Sequence, residues 1–477
     1  MTQNTVSKNA AAARALFSTA LSLHQAGNIN EAKNNYKRIL KLIPAQPDAL
    51  HMLGVTEFQE KRFQKAIELI SRARESRSDN YLVHFNLGNA LRAAGRFEEA
   101  SEAYQQAVIL KPDSTEAQKN LGNTYKELNL MVEAISCYDR ILERDPHHYH
   151  TLYNKSIALL TLGKLDEGWE LYEHRLSQNL PDAGQLGHSF PRFAPDWNGE
   201  KLEKPLLVLP EQGLGDQIFY GAMLQDLQSL GIEGFICLDG RLQHLFKRSF
   251  QNLDFVLPSE LSSLATTEQL FGAQIQVASL GRVFRRRDND LSRIKSPFLV
   301  ANKELTESLS NKHKKPGTIT CGLSWISSSP SSGTVKSINL TDLSPLLAIK
   351  NVNFVNLQYG DTAQDCDFVK SKFGVDITKV SEIDNYFDID ELAALITACD
   401  VVVTVSNSTA HLAAALGRPA LVLLPHHTPL WYWHLDSNRS PWYPSVTLLR
   451  QEIAGNWEKP VKEAESLLSH LAKAIKN

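Results

Sequence analysis

The stretch Val401-Val402-Val403-Thr404-Val405-Ser406-Asn407-Ser408-Thr409-Ala410-His411-Leu412-Ala413-Ala414-Ala415-Leu416-Gly417-Arg418-Pro419 decides the fold. Its first five residues are all β-branched and nearly all apolar, the pattern of a strand buried on both faces. Ser406 to Thr409 then supply hydroxyls and an amide at a turn. An alanine-rich helix follows, and Gly417-Arg418-Pro419 ends it. Free backbone N–H groups at the start of such a helix, with hydroxyls beside them, make a ready site for a phosphate. The dipole contributes only about 0.3–2 kcal/mol, so a cation is expected as well. Lys336, in the glycine- and serine-rich loop 327–337, could supply it. The competing reading of Ser406 to Thr409 is an ordinary helix cap without a ligand.

The same strand-loop-helix grammar extends in both directions. Thr318–Trp325, Asn353–Leu357 and Leu421–Leu424 read as further buried strands. Upstream, Leu206–Leu209 is a short apolar strand that enters the turn Glu211-Gln212-Gly213-Leu214-Gly215-Asp216 and then an amphipathic helix to about Leu230. Phe235–Leu238, Phe255–Leu257 and Ile275–Val277 follow as strands, and residues 285–315 are charged and weakly patterned. Apolar strands alternating with helices predict two doubly wound parallel sheets with a cleft between them. The expected lobes are 205–315 and 316–453, followed by a C-terminal helix over 454–477.

Residues 1–176 obey a different rule. Ala32, Ala66, Ala100, Ala134 and Gly168 are 34 apart, as are Gly54, Gly88 and Gly122. Tyr36, Ile70, Tyr104, Tyr138 and Tyr172 keep the same phase. This is the period of the tetratricopeptide (TPR) repeat, a helix pair whose small residues mark close crossings. Four repeats run from about residue 13, and a fifth starts near 149. The array is an α-solenoid, and Asn86, Asn120 and Asn154, with Asn89 and Asn123, recur on its expected concave face. Such amides can hold an extended peptide backbone without reading side chains; they are also simply common polar residues on such faces. Residues 177–204 read as a linker or docking segment, with Trp169 and Trp197 packing against the next domain.

Composition bounds the rest. At 477 residues the chain is too long for one core. A net charge of −3 gives no electrostatic case for nucleic acid or an anionic membrane. The five cysteines are scattered without C-x-x-C spacing, which argues against disulfides and zinc ribbons. Met1 to Ala15 holds no apolar signal region, and no run approaches ~20 apolar residues. A cytoplasmic protein without membrane insertion is expected. His426 and His427 are adjacent and diverge, and Asp388-Ile389-Asp390 reads as a helix cap, so no metal is expected. Arg285-Arg286-Arg287 reads as a solvated loop, the other reading being contact with an anionic donor or acidic acceptor.

Three motifs in fixed order carry a family likeness: G-L-G-D at 213–216, S-N-S-T-A-H-L-A-A-A-L-G-R-P at 406–419, and S-P-W-Y-P-S-V-T-L-L-R-Q at 440–451. Together they resemble the ADP-heptose heptosyltransferase superfamily of GT-B fold. More narrowly the chain resembles bacterial TPR-fused members, including flagellin-modifying glycosyltransferases, and N-L-G-N at 86–89 and 120–123 resembles the array of eukaryotic O-GlcNAc transferase. The resemblance implies Asp216 as general base in a cleft loop with Gly213, Leu214, Gly215 and Gln217. It implies donor binding by Lys336, Ser406, Asn407, Ser408, Thr409 and His411. Ser406, Asn407 and Ser408 stand where heptosyltransferases usually read D-T-G, which detaches the likeness from ADP-heptose specificity. Other expectations are a nucleotide-sugar co-substrate (a CMP-sugar first, with UDP-, GDP- or ADP-sugars open) and a protein acceptor in the TPR groove, flagellin being suspected. Two alternatives stand beside it: a glycan or lipopolysaccharide-type sugar transferase whose repeats bind partners, and a non-catalytic scaffold.

Overall fold

A computed structural model describes residues 3–177, 190–264, 270–291, 295–329, 332–427, 430–435 and 437–474. Residues 178–189 of the expected linker lie outside the described residues. The chain forms two compact units, Met1–Lys155 and Ser156–Asn477.

The first unit is built from helix pairs: Gln3–Gln25 with Ile29–Leu42, Pro47–Gln59 with Phe63–Ser76, Tyr81–Ala93 with Phe97–Leu110, and Thr115–Glu127 with Met131–Leu142. The 34-residue step is written into the backbone. Gly27, Lys61, Gly95, Asn129 and Gly163 all adopt φ between 59° and 82°, turning one helix back on the next. Caps recur in phase too, with Asn80 Oδ1 accepting from Leu82 N at 2.9 Å and Ser114 Oγ from Ala117 N at 3.2 Å. The small residues act as their spacing predicts. A Cβ on Gly88 or Gly122 would lie 2.7 Å from the ring of Tyr104 or Tyr138, so a side chain there would force the helices apart. The fifth pair, Tyr149–Thr161 and Leu165–Tyr172, also forms, and the second unit begins inside its first helix.

The second unit holds two all-parallel sheets. The first contains β1 (Leu206–Leu209), β2 (Gly234–Cys237), β3 (Asp254–Val256) and β4 (Ala273–Gln276), ordered β3-β2-β1-β4, with Leu207 opposite Phe235 and Gln274. The second contains β5 (Ile319–Ser324), β6 (Val352–Asn356), β7 (Ile377–Thr378), β8 (Val401–Val405), β9 (Ala420–Leu424) and β10 (Val446–Arg450). Its order is β10-β9-β8-β5-β6-β7, and Leu323 faces Val403 and Asn356 across the central strands. Chain order reverses beside β1 and beside β5, and such switch points open crevices at the carboxyl ends of the strands.

Several local expectations need correction. The helix after β1 is two helices, Leu214–Gly221 and Leu224–Ser229. The charged segment before β5 contains a helix, Lys303–His313, capped by Asn302. The arginine triplet is not simply solvated, because Arg285 is fully buried on Asp226 at 2.6 Å. Trp169 and Trp197, by contrast, pack on the α/β region as expected: a Cβ on Gly281 would clash with the Trp169 indole, and Trp197 meets Phe284 at 5.9 Å. Among the described residues no helix is long and apolar enough to cross a membrane.

Candidate active site

Both turns singled out in the sequence open onto one cleft of about 510 Å³ between the two sheets of the second unit. Gly213, Leu214, Gly215 and Asp216 form one wall, after β1. Ser406, Asn407, Ser408 and His411 form the other, after β8, and Lys336 lies between them. The volume falls in the range of ligand clefts. Gly215 permits this closeness, since a Cβ there would stand 3.2 Å from His411 Cδ2 and 3.5 Å from Ser408 Cα.

Asp216 stands at the third position of the Leu214–Gly221 helix. Its Oδ2 accepts from Gly213 N at 3.2 Å, so it caps the helix while lining the cleft. Burial pushes its carboxyl up to about 6, against the pull of the Gly213 N–H, the Lys336 ammonium and the Tyr432 hydroxyl, while the Glu211 carboxylate adds to the rise. A carboxylate that titrates near neutrality is suited to accepting a proton. Lys336 ends the short helix Gly333–Lys336 and is 5% exposed. Burial lowers its ammonium, and Asp216 opposes that effect.

Glu211, at the head of the same turn, is locked from behind. Arg175 Nε and Nη2 fork onto its two oxygens at 2.8 and 2.7 Å, and Arg175 also donates to Glu173 at 2.9 Å and Ser279 Oγ at 2.7 Å. Gln212 Nε2 reaches Tyr172 Oη at 2.7 Å. The G-W-E-L-Y-E-H-R segment therefore braces the loop that carries Asp216.

The opposite wall is held by a buried amide. Asn407 Oδ1 accepts from Ala410 N at 3.3 Å and Thr404 Oγ1 at 3.0 Å, while Nδ2 donates to Ser324 Oγ at 2.8 Å and Ile326 O at 3.1 Å. Gln358 Oε1 extends the network, receiving Ser324 Oγ and the N–H groups of Trp325 and Ile326. Asn407 is thus the helix cap and a tie to β5, with its amide committed. Ser406 Oγ accepts from Trp433 Nε1 at 2.9 Å. His411 stacks on Trp433 at 5.1 Å, meets Tyr443 Oη through Nδ1 at 3.1 Å, and is pushed down to about 3 by burial and Lys336. It is a neutral imidazole at physiological pH.

Some expected residues lie elsewhere. Thr409 is buried, and its Oγ1 has no hydrogen-bond partner among the described residues. Gln217 is buried behind the wall, its Oε1 accepting from Asp239 N at 2.8 Å. In the array, Asn89 and Asn123 accept from Tyr104 and Tyr138 hydroxyls at 2.6 and 2.8 Å, Asn120 donates to Asn89, and Asn86 meets His51. Asn154 is buried between Lys126 and His150. Each of these amides makes at least one hydrogen bond to a neighbouring side chain of the array. Asp388 caps the helix Ile389–Ala398, as its spacing predicts. Among the described residues no group of three His, Cys, Asp or Glu could hold a metal.

Sequence reasoning missed Tyr432 and Tyr359, which line the cleft with Ser327, Ser328, Ser329, Ser332 and Leu430. The serine loop was visible as composition; the two tyrosines follow no period.

Comparison with known proteins fits this geometry. Residues 23–88, 88–129 and 116–148 match models of tetratricopeptide repeats. Residues 383–471, which contain the β8 turn and the His411 helix, match the model of glycosyltransferase family 9 (heptosyltransferase). The chain thus joins a segment that matches tetratricopeptide repeat models to a segment that matches the glycosyltransferase family 9 model. This TPR-fused, heptosyltransferase-like chain is also 32% identical over 349 residues to Protein FlbA of Caulobacter vibrioides, covering 67% of the chain and 55% of that protein. It thus spans about half the length of the curated relative it matches. Among solved structures, it is similar to YrrB, described as a TPR protein with an unusual peptide-binding site, with 20% identity over 34% of this chain and 83% of that one (TM-score 0.33). MamA is similar at 22% identity over 33% of this chain and 92% of that one, with a TM-score of 0.32.

Proposed function

We propose that the protein is an inverting, metal-independent glycosyltransferase that moves a sugar from a nucleotide sugar to a protein Ser or Thr hydroxyl. One observation carries the reading: a carboxylate that titrates near 6, a buried lysine and the open start of a helix face a single cleft. The leaving phosphate lies against Lys336 and the first N–H groups of the Ser408–Ala415 helix, which stabilise the charge that develops on it. Asp216 takes the proton of the acceptor hydroxyl as that oxygen attacks the anomeric carbon and the bond to the phosphate breaks. One displacement inverts the configuration. The helix terminus and Lys336 together do the work a divalent ion would otherwise do. Neutral His411 and the Tyr432 hydroxyl offer hydrogen bonds without adding charge.

A TPR array suits a polypeptide acceptor. Likeness to flagellin-modifying enzymes supports flagellin as that acceptor and a CMP-activated nonulosonic acid as donor. The test is transfer by Asp216→Asn. Turnover should fall ~10²-fold or more while nucleotide affinity holds within about threefold. Unchanged turnover would remove Asp216 from the mechanism.

A further inference from the structure

The carboxylate of Asp216 belongs to the first lobe, but one of the groups that hold it comes from the second. Tyr432 lies in the short helix Trp431–Trp433 after β9 and lines the cleft with Asp216. Its hydroxyl donates a hydrogen bond to the Asp216 carboxyl, and so crosses from one wall to the other. The Tyr432 ring is 3% exposed and wedged in place. Phe219, on the Asp216 helix, stands 4.6 Å from it, and His411, on the opposite wall, meets it edge-on at 5.0 Å. Trp431 and Trp433 close on it at 5.5 and 5.3 Å. A ring packed on several sides aims its hydroxyl in one direction. Burial, with the Asp216 charge beside it, pushes the Tyr432 phenol well above its usual range, so the hydroxyl stays a donor.

The other groups around Asp216 act differently. Gly213 N comes from the same turn and meets Oδ2 at 3.2 Å whatever the second lobe does. Glu211, also from that turn, repels the carboxylate while forked by Arg175. Lys336 attracts it as a point charge. Tyr220 and Tyr443 are buried phenols that feel its charge, and His411 is a neutral imidazole. Tyr432 adds a directed donor from the second lobe.

We propose that Tyr432 is a positioning residue for the reaction: its hydroxyl, presented by the second lobe, fixes the Asp216 carboxylate in the cleft to receive the acceptor's proton. The inference rests on the reading of Asp216 as general base and adds what readies it. A hydrogen bond to the charged form of an acid favours that form, so the same contact keeps the base ionised. Donor and acceptor of this hydrogen bond sit on different lobes, so the base is ready only where the two walls meet. The acceptor's proton goes to Asp216, and Tyr432 keeps its own.

The test is Tyr432→Phe, which keeps the ring and its packing and removes the hydroxyl. The first readout needs no substrate. In the full chain, isotope-labelled at the aspartate carboxyls, the NMR resonance missing from Asp216→Asn reports Asp216. It should titrate at about 6 in the wild type and about one pH unit higher in Tyr432→Phe, as expected for losing one hydrogen bond to a charged group. The second readout is transfer from a CMP-activated nonulosonic acid to unmodified flagellin. The acid limb of kcat/KM should move up with the titration, and near pH 6 kcat should fall ~5-fold or more, recovering in part as pH rises. The KM for the donor should hold, and Tyr432→Phe should cost nothing further once Asp216 is replaced by Asn. An Asp216 titration that does not move, or an equal loss of rate at every pH, would overturn the role of Tyr432 and leave the base assignment standing. A transfer rate untouched by Asp216→Asn would overturn the base assignment, and this inference with it.

Discussion

The two turns that face each other across the cleft are made from the same plan and solve the helix start in opposite ways. Each follows a fully buried parallel strand, β1 or β8, and opens a helix. After β8 the cap is a side chain: Asn407 is buried, all its polar atoms committed, and it ties the helix to β5. After β1 the cap position is Gly213, which has no side chain to offer, and the carboxylate of Asp216 reaches back from within the helix. The first solution leaves a rigid helix end whose remaining N–H groups can meet an anion. The second places an ionisable group on the cleft wall. On the proposed reading Asp216 would serve both the helix cap and the chemistry in one lobe, whereas the amide of Asn407 is taken up within the wall of the other.

The comparison breaks most severely if the brace behind the first turn is removed. Arg175→Met would leave the Glu211 carboxylate buried without its fork, and losing one partner of such a pair costs about 3–5 kcal/mol. Denaturant unfolding of the full chain should show that loss. If enough protein folds to assay, the unmasked Glu211 charge should also raise the pH at which Asp216 ionises above about 6, since Glu211 already pushes in that direction. Full stability in this variant would mean that the segment before the linker does not hold the turn.

Much of this was legible in residue order. The repeats were, because their period is enforced at every crossing, down to the glycines under Ile70, Tyr104 and Tyr138. The strands were too, because double burial demands unbroken apolar runs; Val401–Val405 matches its strand residue for residue. Two strands escaped for physical reasons. Ile377–Thr378 is a two-residue edge, and Val446–Arg450 lay inside a motif read for its resemblance. What sequence could not supply was partnership at long range. Nothing local distinguishes Arg285, buried on Asp226, from its exposed neighbours Arg286 and Arg287. Nor does any local pattern bring Tyr432 to Asp216, or pair the amides of the array with their neighbours.

A smaller effect is expected on the second wall. Asn407→Ala removes a cap, worth about 1–2 kcal/mol, and takes one hydrogen-bond partner each from Thr404 Oγ1, Ser324 Oγ and Ile326 O in the core, so a total of about 2–4 kcal/mol is expected. Asn407→Asp keeps the oxygen that meets Ala410 N but loses the donor to Ile326 O, and should lie between alanine and wild type. Phosphate or nucleotide affinity should fall with stability in both variants if the helix end is the anion site. Intact stability in Asn407→Ala would mean the cap is dispensable and the two walls less different than their hydrogen bonds imply.

The smallest effect sharpens the dual role of Asp216. Its carboxyl is raised from the usual 3.8 to about 6, so ionising it is less favourable in the folded chain than in the unfolded one. The protonated form carries no such cost. The site's contribution to stability is therefore highest below pH about 4, declines as pH rises to about 6, and is level above that. Asp216→Asn removes the ionisation and keeps an oxygen for Gly213 N. Relative to wild type it should be neutral at pH 4 and more stable at pH 7.5, by about 1–2 kcal/mol once partial exposure to the cleft is allowed for. Paired denaturation curves at the two pH values measure the difference, because titrating groups that do not feel Asp216 cancel between the variants; Lys336, whose ammonium Asp216 supports, is the coupled neighbour. A gain of stability at neutral pH together with a loss of transfer would identify a carboxylate held ionised against its surroundings for the sake of the reaction. No gain would mean that the hydrogen bond to Gly213 and the charge of Lys336 already offset the burial, and that Asp216 belongs to the fold as comfortably as Asn407 does.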